Sequence, residues 1–340
     1  MDLMYIRKRK DGSCDSGILS HYKADFDVSS DIEYVTNDFE LRMSIPSSTE
    51  DLLHIENETS TIVYVEGTEF GGEISGYTIN VAEGTIAYTG RTWRGTLSEW
   101  IIEPPPGQDY RVVSGNLAAS LRTLPLSEFI EVQDTSYSGD RFQFDRYITT
   151  FEGASKMLTA ANADLRMAIS FEQDDGAYTG KARLSIVPVR DMTGMVEISQ
   201  DYNDKIQLEM TRDGRTPRHL ICLGSGELRD REVIHLYADD DWVISRTAIP
   251  GAYPVDIYDF SSSENLLKDG MKHYQDLVSN HNQIAVTITD LDVRLGDIIS
   301  ARHHLIEEDI QAEITKIIWH CEDFGDYQKE SYEYKTKVRI

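Results

Sequence analysis

From Phe39 to Ile45 the chain alternates strictly: Phe39, Leu41, Met43 and Ile45 are apolar, Glu40, Arg42 and Ser44 are polar, and Pro46 ends the run. A period of two marks a half-buried strand, because successive side chains leave a pleated backbone on opposite faces. The same pattern predicts strands over Met4–Lys8 and Gly17–His21 around an Asp11-Gly12 turn, then over Ile62–Glu66 and Gly72–Ala82, and over Thr85–Gly90, where Gly90 is expected to break the strand. Several short strands within residues 1–106 predict a small antiparallel β-barrel or sandwich.

The pattern changes after Pro104-Pro105-Pro106-Gly107, a run that fixes φ and removes backbone donors. A helix is expected from the polar start Ser114-Gly115-Asn116 through Leu117, Ala118, Leu121 and Leu124 to a stop at Pro125. Ser127–Val132 fits helix or strand, Asp134–Asp140 reads as a loop, and Phe142–Thr150 as a strand. Ala154, Met157, Leu158 and Ala161 predict a helix within Glu152–Ala163. Leu165–Glu172 and Ala182–Val189 then form a hairpin around Asp174-Asp175-Gly176, so residues 107–198 read as an α+β unit.

Residues 199–245 return to β. Ile206–Met210 alternates and turns at Asp213-Gly214; His219–Gly224 is almost wholly apolar and is expected to be buried on both faces, with Glu232–Tyr237 as its partner. Residues 246–282 hold the Pro250–Pro254 connection and a helix capped by Ser261–Ser263, with Leu266, Leu267, Met271, Tyr274 and Leu277 on one side and Gly270 weakening its middle. Residues 283–340 give strands at Ile284–Ile288, Ile298–Ala301, Ile310–His320 and Ser331–Ile340. The fold expected is mainly β with an α+β insertion: a first barrel over 1–106, the mixed domain 107–198, a second, discontinuous barrel from 199–245 and 283–340, and the helical insertion 246–282.

Three stretches carry a resemblance. Tyr88-Thr89-Gly90-Arg91-Thr92-Trp93-Arg94-Gly95-Thr96-Leu97, closed by Ile101-Ile102-Glu103-Pro104-Pro105, is similar to the tail-hub (baseplate hub) proteins of long-tailed bacteriophages and prophages. Arg218–Glu227 and Val293–Ile299 fit the same resemblance in order and spacing. It implies two related barrels per chain and a homotrimer whose barrels ring a central channel. It also implies a structural virion protein, assembled in the bacterial cytoplasm, that joins the tail tube to the tip. The partners it implies are the tube, the distal tail and tape-measure proteins and a tip fibre or spike, with DNA passing through without specific binding. No internal repeat is visible between the two halves, so the paired barrels rest on the resemblance.

Composition adds one physical point. Asp and Glu number 59 against 33 Lys and Arg, a formal charge of −26, which leaves no basic surplus to displace counterions from nucleic-acid phosphates. In a ring of such chains, a carboxylate-lined channel repels DNA over roughly 10 Å at moderate salt. Arg7 to Lys10 precede no apolar run, which predicts no signal peptide, and no stretch approaches a membrane span.

No motif predicts catalysis, a cofactor or a metal. Cys14, Cys222 and Cys321 lack metal-site spacing, and Cys222 is expected to be a small buried hydrophobe. His303-His304 with Glu307 and Glu308 is not HExxH, and Asp239-Asp240-Asp241 lacks a calcium-loop spacing and reads as a hairpin tip. Gly224-Ser225-Gly226 fails as a nucleophile elbow because Cys222 and Glu227 stand where glycines are needed. The candidate functional residues are therefore interface residues: Trp93 and Trp100, expected where the first barrel meets the next domain, and Arg91 and Arg94, expected in ion pairs there. Two other readings are a tail-associated cell-wall lysin, for which the chain offers no extra C-terminal domain, and a host-surface carbohydrate-binding protein using some of the 18 Tyr and 4 Trp.

Overall fold

The computed structural model describes residues 1–32, 36–56, 58–173, 180–193, 197–198, 207–212, 215–260, 265–279, 282–288, 293–303 and 306–338. The chain divides into two units. Unit 1 is Met1–Asp191 with Thr287–Asp297 and Ile314–Tyr334; unit 2 is Met192–Val286 with Ile298–Glu313 and Lys335–Ile340.

Seven strands open unit 1: β1 (Met4–Arg9), β2 (Cys14–Ile18), β3 (Tyr22–Ser29), β4 (Asp38–Ser44), β5 (Thr59–Tyr64), β6 (Gly71–Asn80) and β7 (Thr85–Thr92). They are ordered β3-β4-β7-β6-β5-β1-β2. A C-terminal segment extends the sheet beyond β3, in the register Lys316↔Ser29 to Glu322↔Lys23. The alternation of Phe39–Ile45 is realised in β4, whereas the strand expected over Gly17–His21 is displaced to Cys14–Ile18 and β3 follows it. Phe26, Phe39, Leu41, Ile86, Tyr88 and Trp319 are buried, and Phe26 stacks on Phe39 with ring centroids 5.0 Å apart. The protein is mainly β, as expected, but the strand path does not close into a ring: β2 pairs with β1 alone among the described residues.

Gly90 does not break β7. It lies inside the strand, opposite Phe39, where a Cβ would fall 2.7 Å from the Phe39 ring and 2.0 Å from the Glu73 carbonyl. Glycine is needed for close approach, beside a register shift between Ile74 and Gly76.

The chain continues through α1 (Trp93–Thr96), β8 (Ile101–Ile102), β9 (Val112–Asn116), α2 (Leu117–Arg122), β10 (Ile130–Val132), β11 (Ser138–Gln143), β12 (Ile148–Thr149), α3 (Thr150–Ala161), β13 (Leu165–Gln173) and β14 (Gly180–Pro188). Asn116 caps α2 by accepting from the Ala119 N–H at 2.9 Å, and Thr149 caps α3 through Glu152 at 3.2 Å. Of Ser127–Val132, the last three residues form a strand, β10, parallel to β14, and the Ile130 N–H closes a turn on the Ser127 carbonyl at 3.0 Å. The loop expected over Asp134–Asp140 runs into β11, which pairs with β9; Phe142–Thr150 is split between β11 and β12 rather than continuous. Both helices and the β10-β14-β13 sheet share one core with Ile6, Ile62 and Tyr64 of the first sheet.

Unit 2 begins with β15 (Glu197–Ile198) and β16 (Gln207–Arg212). A four-stranded sheet follows: β17 (His219–Leu223), β18 (Val233–Ala238), β19 (Ile244–Ser245) and β20 (Val255–Asp259), ordered β19-β18-β17-β20. The helix α4 (Leu266–Ser279) packs on it through Leu266, Tyr274 and Val278 against Leu220, Cys222 and Leu236. The expectation for His219–Gly224 is corrected here. Leu220, Cys222 and Gly224 are buried, while His219, Ile221 and Leu223 are half-buried, because helix covers one face alone. β20 was not foreseen; it pairs in parallel with β17 and exposes Val255 and Ile257. Gly270 is explained by packing: a Cβ there would lie 2.6 Å from the Cys222 Sγ.

The remaining strands are β21 (Asn282–Ile288), β22 (Ile298–His303), β23 (Ile306–Asp323) and β24 (Gln328–Val338). β23 supplies the segment that pairs with β3, and Trp319 of that segment packs on Phe26 and Phe70 at 5.5 and 5.3 Å. Asp297, buried at the Leu295-Gly296-Asp297 turn, takes a bidentate pair from Arg190. The turns expected at Asp174–Gly176 and Asp213-Gly214 and the cap at Ser261–Ser263 lie outside the described residues.

Candidate functional site

The structure separates the four candidate interface residues into two pairs. Trp93 and Arg94 are buried inside unit 1; Arg91 and Trp100 are on its surface. The local cause is the end of β7. Thr92 leaves the strand and caps α1, its hydroxyl accepting from the Gly95 N–H at 3.4 Å. One turn of helix then points Trp93 and Arg94 inward. Trp93 lies parallel to Phe171 on β13, with centroids 4.9 Å apart, and tilts against Phe129 at 6.3 Å. Gly71 makes room for it, since a Cβ there would meet the indole nitrogen at 2.6 Å. Arg94 forms a fork on Glu69, at 2.5 and 3.1 Å, and donates to the Met167 carbonyl at 2.9 Å. Both residues thus join the first sheet to the α+β layer within a single chain.

Arg91 donates to the Thr36 carbonyl at 2.5 Å and lies 3.8 Å from Glu99. Trp100 is 43% exposed, and its carbonyl accepts from the Thr150 N–H at 2.7 Å. Two polar residues that sequence reasoning missed tie this corner together. Buried Asn37 accepts from the Ser29 N–H at 2.5 Å through its side chain, and its own carbonyl takes the Thr92 N–H at 2.9 Å and the Thr92 hydroxyl at 3.1 Å. Asn37 has φ +42°, a conformation asparagine tolerates better than most residues.

The outer face of the same sheet is acidic. Register places His320, Asp25, Glu40 and Thr89 in one row across β23, β3, β4 and β7. The neighbouring rows hold Asp27 beside Ile318 and Asp38 beside Arg91. A groove of about 590 Å³ runs over them, its carboxylates being Asp25, Asp27, Asp38, Glu40 and Glu99. The His320 ring nitrogen contacts Asp25 at 2.5 Å, and partial neutralisation comes from Lys316 on Asp27 and Arg42 on Glu40 at 2.8 Å. Even so, Asp25 stands directly opposite Glu40. Like charges facing each other across a sheet are destabilising.

The groups weighed for chemistry have structural places. Cys222 is buried, and burial pushes its thiol up to about 11, which keeps it protonated and inert. Asp239 folds its own turn, its Oδ1 accepting from the Asp241 and Val243 N–H groups at 3.0 and 2.8 Å. Gly226, with φ +96°, supplies a tight turn between β17 and β18. His304 and the side chains of Glu307 and Glu308 lie outside the described residues. His219 Nε2 and His235 Nδ1 are 2.8 Å apart, and His219 stacks on Tyr237 at 4.3 Å. Burial first, and the His235 charge second, hold the His219 imidazole below its ordinary range. Among the described residues no group of three or more His, Cys, Asp or Glu is placed to hold a metal ion.

No protein-family model matches this sequence, and neither does any curated protein. Solved structures do, along nearly the whole chain. The fold is similar to the 43 kDa tail protein of prophage MuSo2 from Shewanella oneidensis, at 15% identity, over 99% of this chain and 98% of that one, with a TM-score of 0.61. It is similar to a tail protein from Neisseria meningitidis MC58, at 11% identity, over 99% and 97% of the two chains, with a TM-score of 0.57. A prophage tail protein from Listeria monocytogenes EGD-e gives 10% identity, 99% and 94% coverage and a TM-score of 0.54. At such identities the shared property is the fold: the chain is built as phage and prophage tail proteins are.

Proposed function

We propose that this chain, which has the fold of prophage tail proteins, is a structural hub of a phage or prophage tail. Three copies form a ring between the tail tube and the tip, and DNA passes through the ring. The tube, the distal tail and tape-measure proteins and a tip fibre or spike are its neighbours, and the assembled virion tail is its location.

The observation that carries this reading is the acidic sheet face, with Asp25 opposite Glu40, on a tail-protein fold. A sheet that spends stability on facing carboxylates gains a surface that phosphate cannot adhere to. Each chain brings −26, and three bring three times that. At roughly 10 Å of screening length, such a wall keeps a polyanion centred in a narrow channel. The groove residues Asp25, Asp27, Asp38 and Glu40 are the part of the chain assigned to that wall.

Two measurements test it. Mass in solution gives three copies, and negative-stain images show a ring with a central hole. A single copy at the highest reachable concentration overturns the reading. In assembled particles, Asp25→Asn with Glu40→Gln leaves the ring intact and slows DNA ejection; unchanged ejection removes the channel role from this face. The lysin reading predicts clearing on a cell-wall zymogram, and the carbohydrate reading predicts glycan-array binding; neither is expected.

A further inference from the structure

A chain with a net charge of −26 repels its own copies, so self-association is favoured where the charge is locally reversed. Unit 1 has such a place. A cleft of about 710 Å³ opens beside β1, β5 and the start of β14. Among the described residues its rim carries Lys8, Arg9, Lys10 and Lys181 against two carboxylates, Glu58 and Glu128, and Ile6, Ile62 and Phe129 supply its apolar lining. Arg9 is held by Asp15 at 3.1 Å, and Lys181 donates to the Glu128 carbonyl. Lys8 and Lys10 are exposed and enter no ion pair among the described residues. The cleft therefore offers cations around an apolar centre, which suits a segment that is both acidic and apolar.

The chain presents such a segment in unit 2. The connection from β18 to β19, Asp239 to Val243, carries three consecutive carboxylates followed by Trp242 and Val243. Asp240 is fully exposed at 108% and Val243 is 59% exposed. The tip is also preformed. Asp239 closes it through two backbone N–H groups, Arg218 donates to the Asp239 carbonyl, and the Arg218 guanidinium lies 4.0 Å over the Trp242 ring. Arg218 approaches Asp240 only to 3.6 Å. A rigid tip loses little conformational freedom on docking, which favours its binding.

We infer that the Lys8–Lys10 cleft receives the Asp239–Val243 tip of a second copy of this chain. The contact is head to tail, joining two different patches, and repetition of one such contact closes a ring when each step is a three-fold rotation. It rests on the ring reading above and names the surfaces that would make the ring. The occupant is a second copy because each copy carries both the basic cleft and the acidic, apolar tip.

The test is charge reversal with rescue, read as mass against concentration in moderate salt. Lys8→Glu with Lys10→Glu, and separately Asp240→Lys with Asp241→Lys, each raise the trimer dissociation concentration at least about tenfold, and combining both reversals in one chain restores it to within about threefold. Raising the salt weakens the wild-type trimer and narrows these differences. A wild-type trimer that neither reversal weakens overturns this contact and leaves the ring standing, with the cleft free for an acidic segment of another tail protein. Reversals whose losses add instead of cancelling also overturn it. A wild-type chain that stays single removes the contact and the ring together. If either reversal fails to fold by circular dichroism, Lys8→Gln with Lys10→Gln and Asp240→Asn with Asp241→Asn replace them, with smaller losses in the same direction; a trimer these leave unweakened overturns the contact equally.

Discussion

The indole of Trp93 lies nearly parallel to the ring of Phe171, inclined by 10° with centroids 4.9 Å apart. Its Nε1 is buried and has no hydrogen-bond partner among the described residues, so the indole acts by shape and area. Trp93→Ala should cost about 3–5 kcal/mol, in the range of large aromatic truncations in cores. Trp93→Phe should cost clearly less, because no hydrogen bond is lost with the indole. Urea unfolding of unit 1 measures both. A folded Trp93→Ala chain that has lost only its oligomeric state would move this residue from core to subunit contact.

Arg94 is a buried cation with one charged partner, Glu69, and one carbonyl, that of Met167. Removing one member of a buried pair leaves the other uncompensated. Arg94→Met should therefore destabilise by about 3–5 kcal/mol, and adding Glu69→Gln should recover a large part of it. A double-mutant cycle reads the coupling; simple additivity of the two losses would contradict the pairing.

The strand alternation of β4 and β13 is legible because each strand has one buried and one wet face, which a period of two reports directly; β3 has the same pattern but lies beyond the strand expected over Gly17–His21. The apolar run of β17 misled for a related reason: Ile221 and Leu223 signal burial, yet only the face under α4 is covered. Gly90 reads as a strand breaker and Gly270 as a weak point in its helix, whereas both are close-approach positions whose neighbours, Phe39 and Cys222, are distant in sequence. Of the candidate interface residues, Trp93 and Arg94 were legible as a junction but not as core. Inward pointing depends on the single turn of α1 and on the Asn37 clamp, and neither has a periodic signal.

Gly270→Ala provides a test of that close approach. Helix propensity alone favours alanine by about 1 kcal/mol. Packing opposes it, with the Cys222 Sγ 2.6 Å from the added carbon, and overpacking of this kind costs about 1–3 kcal/mol. The substitution should be net destabilising by thermal unfolding. In a Cys222→Ala background the sulfur is gone, and Gly270→Ala should become neutral or stabilising.

Acid should loosen the β1–β2 hairpin. Asp15 receives the Arg7 guanidinium at 3.0 and 2.7 Å, and this hydrogen bonding, followed by the Arg7 and Arg9 charges, holds its carboxyl below the usual range against the opposing effect of burial. A folded-state pKa below the unfolded value means the unfolded chain takes up the proton first. The contribution is complete above the ordinary aspartate value of about 3.9 and is lost as pH falls through the depressed folded value. Stability measured from pH 6 downward should fall more steeply in the wild type than in Asp15→Asn.

Glu40→Gln should stabilise the isolated chain. It removes the like-charge pair with Asp25, at a gain of about 0.2–1 kcal/mol, nearer the lower figure because Arg42 already contacts Glu40 at 2.8 Å. The gain should shrink in concentrated salt. Thermal unfolding at two ionic strengths decides; a loss of stability would show that the pair is not repulsive.

β7 passes into α1 without an intervening loop, and it is flanked along its length by β4 and β6. A tension along β7 is therefore resisted in shear, by all the ladder bonds on both sides together, rather than being unzipped one bond at a time. At the far end the pull meets the wedge of Trp93 and the Asn37 clamp. The strand is thus a tie rod between the first sheet and the core that Trp93 shares with the α+β layer.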